Sequence, residues 1–143
     1  MIVARLNREK LQLLSESRLK EATVLLENQC WTGAYYMTGL AVECALKAYL
    51  ARAVQLHDFP DKAFIVRAYT HKVRELVQLD AALWEQLQND LKTDLRLKSN
   101  WYTVFDWNDE NRYEVVEELQ ARSLFLAASE QIYGVLEWIR RRW

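Results

Sequence analysis

Along the first quarter of the chain, Leu11, Leu14, Leu19, Ala22, Leu25 and Leu26 recur at helical spacing, with Glu9, Glu16, Lys20 and Glu27 on the opposite side. The pattern predicts an amphipathic helix from Asn7 to Gln29. Ser15 and Arg18 interrupt its apolar stripe, and a guanidinium there needs either a route to the rim or a specific buried partner. From Thr32 to Gln55 the apolar residues cover nearly the whole circumference, among them Tyr35, Tyr36, Met37, Leu40, Val42, Leu46, Tyr49, Leu50 and Val54. A helix that is apolar all round belongs at the centre of a bundle.

The segment His57 to Tyr69 breaks this pattern around Pro60, the only proline, and predicts a connection with some extended backbone. Thr70 is placed to cap a short helix that points Val73, Leu76 and Val77 inward. Asp80 is placed to cap the next, which carries Leu83, Trp84, Leu87, Leu91 and Leu95. Lys98 to Asn111 mixes Trp101, Tyr102, Phe105 and Trp107 with Asn and Asp, so a loop is expected that packs its rings onto something. A last helix, from Tyr113 to Arg141, has two apolar faces. Val115, Val116, Leu119, Leu126 and Tyr133 form one; Ala121, Leu124, Phe125, Ala128, Ile132, Val135 and Ile139 form the other. One face can serve the core and the other a partner, and the expected pairing uses Leu124, Phe125, Ala128 or Ile132.

Composition supports helices, because three glycines and one proline in 143 residues are too few for the turns of a sheet protein. With 51% hydrophobic residues the length fits a single domain over 1–143. Nineteen basic and 20 acidic side chains leave a net charge of −1, so any nucleic-acid site must be local. Arg140, Arg141 and Arg142 either complement the end of the last helix or form a phosphate patch. Cys30 and Cys44 predict buried thiols in a reducing compartment and no metal site. No apolar stretch reaches the roughly 18 residues of a membrane span, and the start turns charged too early for a signal peptide, which together imply a cytoplasmic protein.

The helix Gly33 to Arg52, alanine-rich with Glu43 and Lys47 four residues apart, resembles the signature helix of bacterial and archaeal HEPN proteins. Phe59–Pro60, the Thr70–His71–Leu76 run, the Asn100, Trp101, Trp107, Arg112, Tyr113 run and the ending GVLEWIRRRW follow in the order that family shows. The resemblance implies an all-α, up-and-down bundle of four long helices with a short accessory helix, paired as a homodimer. It implies no cofactor, and either ribonuclease activity or a binding role beside an antitoxin or a nucleotidyltransferase.

HEPN ribonucleases act without a metal through an Arg followed four to six residues later by a His, which stabilise charge on the phosphorane and move protons, respectively. Arg112 occupies the Arg position, but Tyr113 to Gln120 contain no His, and Glu114, Glu117 and Glu118 oppose a phosphate there. The Arg52 to His57 match lies at the end of the second helix, away from the family's catalytic position, and is accidental. Catalysis would need His71 brought to Arg112 in space; otherwise His71 caps or packs a loop. The expectation is therefore a non-catalytic or weakly active module binding a nucleotide, RNA or protein, with a metal-independent endoribonuclease and a purely structural dimerisation protein as alternatives. Arg112, Tyr113, Glu43, Lys47, Arg18 and Trp107 are the candidate binding residues. Glu43 and Lys47 suit a surface pair at i and i+4, or Glu43 meets Arg18 or Arg112 inside the bundle. Arg112 beside Trp107 and Tyr113 also suits a stacked, structural arginine.

Overall fold

A computed structural model describes residues 5–143, apart from the side chains at 111 and 112, so the Arg112 side chain lies outside the described residues. The helices begin where polar side chains can take up the free N–H groups of a first turn. Asn7 Oδ1 accepts from the Lys10 N–H at 2.8 Å and opens α1 (Arg8–Glu27). Gln29, with φ 58°, turns the chain tightly into α2 (Trp31–Leu50), and the two helices form an antiparallel hairpin. Asp61 caps α3 (Lys62–Ala68), whereas α4 (Val73–Gln78) has no side-chain cap at its N-cap residue, Lys72. Asp80 caps α5 (Ala81–Thr93) and Asp94 caps α6 (Leu95–Phe105). A 3-10 turn, Asp109–Tyr113, precedes α7 (Glu118–Ser129) and α8 (Val135–Arg140). The described residues contain no strand, so the architecture is all-α.

Several elements differ from the periodicity reading. The segment expected to be extended contains α3, because Asp61 supplies a cap that the neighbouring proline obscures. Thr70 does not cap α4 as its N-cap residue; its hydroxyl accepts from the Lys72 N–H at 3.2 Å and donates to Glu75 at 2.7 Å. The expected aromatic loop is mostly α6, which takes Leu95 from the helix before it through the Asp94 cap. The expected last helix starts late and is interrupted once. Its first residues are the end of a 3-10 turn and extended chain, and a break at 130–134 separates α7 from α8.

That break is held from α6. Asn100 Nδ2 donates to the Tyr133 carbonyl at 2.8 Å and to Glu130 at 3.1 Å, and Arg96 pairs with Glu130 at 2.5 Å. Around the central α2 pack α1, α4, α7 and α8, and α6 closes the bundle against α5, α7 and α8. Apolar burial drives this packing: Leu46, Leu76, Leu87, Leu124, Leu136 and Trp101 are all fully enclosed. Trp101 meets Trp138 edge-on at 5.3 Å, while the Trp138 indole N–H donates to Asp90 at 2.8 Å. Trp107 lies against α2 at Gly39, where a Cβ would sit 1.8 Å from the indole ring. The aromatic segment therefore does pack onto the bundle, and glycine is what lets it do so.

The two faces of the last helical region are divided residue by residue. Leu124 and Ala128 are fully enclosed, so they are not available for the pairing expected from the pattern, whereas Ile132 on the same face is 67% exposed and Val116 on the other face is buried. Leu119 and Leu126 instead remain 79% and 63% exposed, and Val115, on the chain before α7, is exposed too. The expectation for the thiols also needs correction, since Cys30 is exposed and Cys44 only partly covered. No helix among the described residues is long and apolar enough to cross a membrane.

Candidate functional site

Glu43 sits in the middle of α2 and faces the start of α4, and its whole residue is only 5% exposed. Burying a carboxylate there requires compensation. His71 Nδ1 supplies it at 2.5 Å, and Lys47 Nζ, one turn further along α2, stands 3.9 Å from the same oxygen. The partner is thus neither Arg18 nor the surface pair alone, and the Arg112 side chain, the other expected partner, lies outside the described residues. Arg18 turns outward and makes a two-oxygen contact with Glu21 at 2.7 and 2.8 Å, because three residues' spacing on α1 brings that pair together at the rim.

The imidazole is about half exposed, and the Nδ1 contact to Glu43 leaves Nε2 as the ring nitrogen able to meet another molecule. Lys47 points toward an apolar groove that it lines together with Leu50, Val54, Phe64, Ile65 and Tyr69. Beside Glu43, the Cys44 thiol is pushed above its ordinary value, chiefly by burial and then by the Glu43 charge, against the lowering effects of Arg18 and Lys47. A thiol held protonated in this way is a poor nucleophile.

The other predicted residues are spread along α2. Trp107 is 1% exposed, so its ring contributes packing and offers no surface to a ligand. Tyr113 is exposed at the end of the 3-10 turn. Two anchors flank the chain that carries Arg112. Trp107 packs at Gly39, and the Val116 N–H donates to Thr32 Oγ1 at 3.0 Å. At the helical rise, these anchors lie about 6 and about 16 Å along the α2 axis from Glu43, toward its N-terminus. The backbone around Arg112 therefore follows the half of α2 that leads away from His71.

Among the described residues, no group of three or more His, Cys, Asp or Glu side chains is arranged to hold a metal ion. Pattern reading also passed over one cluster. Arg74 of α4 lies over the Phe105 ring at 4.3 Å and near the Tyr102 ring at 5.8 Å, and Lys98 approaches Tyr102 at 5.8 Å. Lys98, Tyr102 and Phe105 stand at helical spacings of four and three, a signal that is visible only once the segment is recognised as a helix. No protein-family model matches the chain, and no curated protein or solved structure is similar enough to it to count as a match.

Proposed function

We propose that the chain is a HEPN-like helical module that works by binding a nucleotide, an RNA or a protein partner rather than by cleaving RNA. In this reading it serves as one component of a toxin–antitoxin or nucleotidyltransferase-linked pair and associates with a second copy of itself. The observation that carries the reading is the separation along α2. His71 is engaged by Glu43, whereas the chain bearing Arg112 is anchored at Gly39 and Thr32, toward the other end of the helix. With no His following Arg112, the phosphate-stabilising and proton-moving groups do not share one stretch of helix. The exposed Val115, Leu119 and Leu126 side chains support association with another protein surface.

Purified protein incubated with single-stranded RNA in the presence of a chelator tests this. With no His following Arg112, the reaction forgoes a proton-transfer contribution of about 10² to 10⁴ in rate, so cleavage should barely exceed background. Arg112→Ala should then alter stability or partner binding more than turnover.

One observation favours the ribonuclease alternative. Glu43 engages the half-exposed His71 ring at Nδ1 and leaves Nε2 free of that contact, which is how a carboxylate prepares an imidazole for proton transfer. That reading requires robust metal-free cleavage that both His71→Ala and Arg112→Ala abolish while the fold persists.

A further inference from the structure

Between α4, α5 and α6 runs a groove of about 270 Å³ that collects Arg74, Lys92 and Lys98 beside Trp84, Tyr102 and Phe105. None of its lining residues is acidic. Among the described residues, no carboxylate oxygen lies within 4.0 Å of any of the three cations, although seven other basic side chains and one imidazole have such a partner. In a chain whose net charge is −1, three cations from three helices converge on one concavity without a counter-charge. Such an arrangement attracts anions locally even though the molecule as a whole does not.

The aromatic side chains narrow the kind of anion. Arg74 stacks on Phe105 at 4.3 Å, and Tyr102, edge-on to Phe105 at 5.9 Å, keeps 47% of its surface open. Packing alone accounts for Arg74 on its ring. It does not account for Lys92 and Lys98 lining the same groove. A bare phosphate would leave the rings unused, and an acidic peptide would do the same, whereas a nucleotide uses both: its phosphate meets the cations and its base lies on a ring or on the guanidinium plane. The volume is just under the range of about 300 to 1,000 Å³ typical of small-molecule pockets, which suits one nucleotide unit and not a duplex.

We infer that the α4–α5–α6 groove is a binding site for a single nucleotide unit, presented by a single-stranded RNA or by a free mononucleotide. The site rests on the module reading above, in which the chain binds rather than cleaves, and neither Glu43 nor His71 lines it.

Fluorescence anisotropy of a short labelled single-stranded RNA of mixed sequence, with AMP and polyglutamate as competitors, tests the inference. The wild type should bind saturably at about 50 mM salt, and joint Lys92→Glu and Lys98→Glu substitution should weaken binding at least about tenfold. Removing two phosphate contacts should also flatten the slope of log affinity against log salt by about 1.4. Tyr102→Ala should weaken binding about five- to a hundredfold through lost stacking. Lys92, Lys98 and Tyr102 are exposed, so unchanged thermal melting is the control that the variants fold. Displacement by AMP identifies a free-nucleotide site, and failure of AMP to displace identifies a site for the polymer; both support the inference. No saturable binding of either ligand overturns it, as does equal displacement by polyglutamate, or binding that folded variants leave unchanged. Cleavage of the same RNA in chelator instead overturns the module reading, whatever these variants do.

Discussion

Gly39 shows how one absent side chain sets the position of a whole segment. Trp107 fills the space that a Cβ would take, and from that anchor the chain carrying Arg112 runs along α2 to the Thr32 contact. A methyl group 1.8 Å from an enclosed indole cannot be accommodated by a side-chain adjustment, since Trp107 is itself fully packed. Gly39→Ala should therefore destabilise the fold by about 1–3 kcal/mol or more, read as a lower urea midpoint with an unchanged slope. Because the strain is with one ring, Trp107→Leu should cost less in the Gly39→Ala background than in the wild type. Additive effects would locate the strain elsewhere. In the sequence, Gly39 is one small residue in a small-residue helix. Its partner stands 68 positions later, which no local pattern encodes.

At the scale of elements, the Glu43–His71 contact joins α2 to the start of α4 beside the apolar packing of Val73, Leu76 and Val77. Removing the imidazole leaves a buried carboxylate with only Lys47 Nζ, at 3.9 Å, so His71→Ala should cost about 1–3 kcal/mol. Glu43→Gln keeps a polar partner without the charge and should cost less. In its background His71→Ala should be milder, a coupling of about 0.5–3 kcal/mol measurable by a double-mutant cycle in urea. Zero coupling would mean that the contact does not support the fold. How much of this was legible follows from the range of each signal. The α1 and α2 helices and the Asp80 cap follow from periodicity and cap chemistry within a few residues. Asp61 and Asp94 cap helices too, but an Asp before a short or mixed stretch looks like any polar loop residue, which hid α3 and most of α6. The break before α8 is held by Asn100, Arg96 and Glu130, contacts across 30 or more residues, so the apolar period runs on through it. For the site, the spacing of Glu43 and Lys47 was visible. His71 stood out as a candidate too, but its pairing with Glu43 was not legible, because pairing between elements is decided by packing.

The whole molecule then raises the question of which surface remains for a second copy. Apolar residues occur all around α7, and sequence alone divides them into two faces without saying which one the core takes. Packing against α2 and α6 takes Leu124 and Ala128, and it leaves Leu119 and Leu126 on the outside near the Arg122 and Phe125 groove. A homodimer through α7 must accordingly use the outer row, and two substitutions two positions apart separate core from contact. Leu124→Ala opens a cavity in the enclosed core, so it should cost about 2–5 kcal/mol of stability. Where the protein stays folded, the molar mass in light scattering should be unchanged. Leu126→Glu places a charge on an exposed position, where substitutions ordinarily change stability by less than about 0.5 kcal/mol. It should instead shift the mass from dimer to monomer at tens of micromolar while monomer stability persists, since burying a charge in an apolar contact carries a desolvation cost. A wild type that is monomeric at that concentration, or a Leu126→Glu protein that still pairs, would remove the outer row of α7 as the contact.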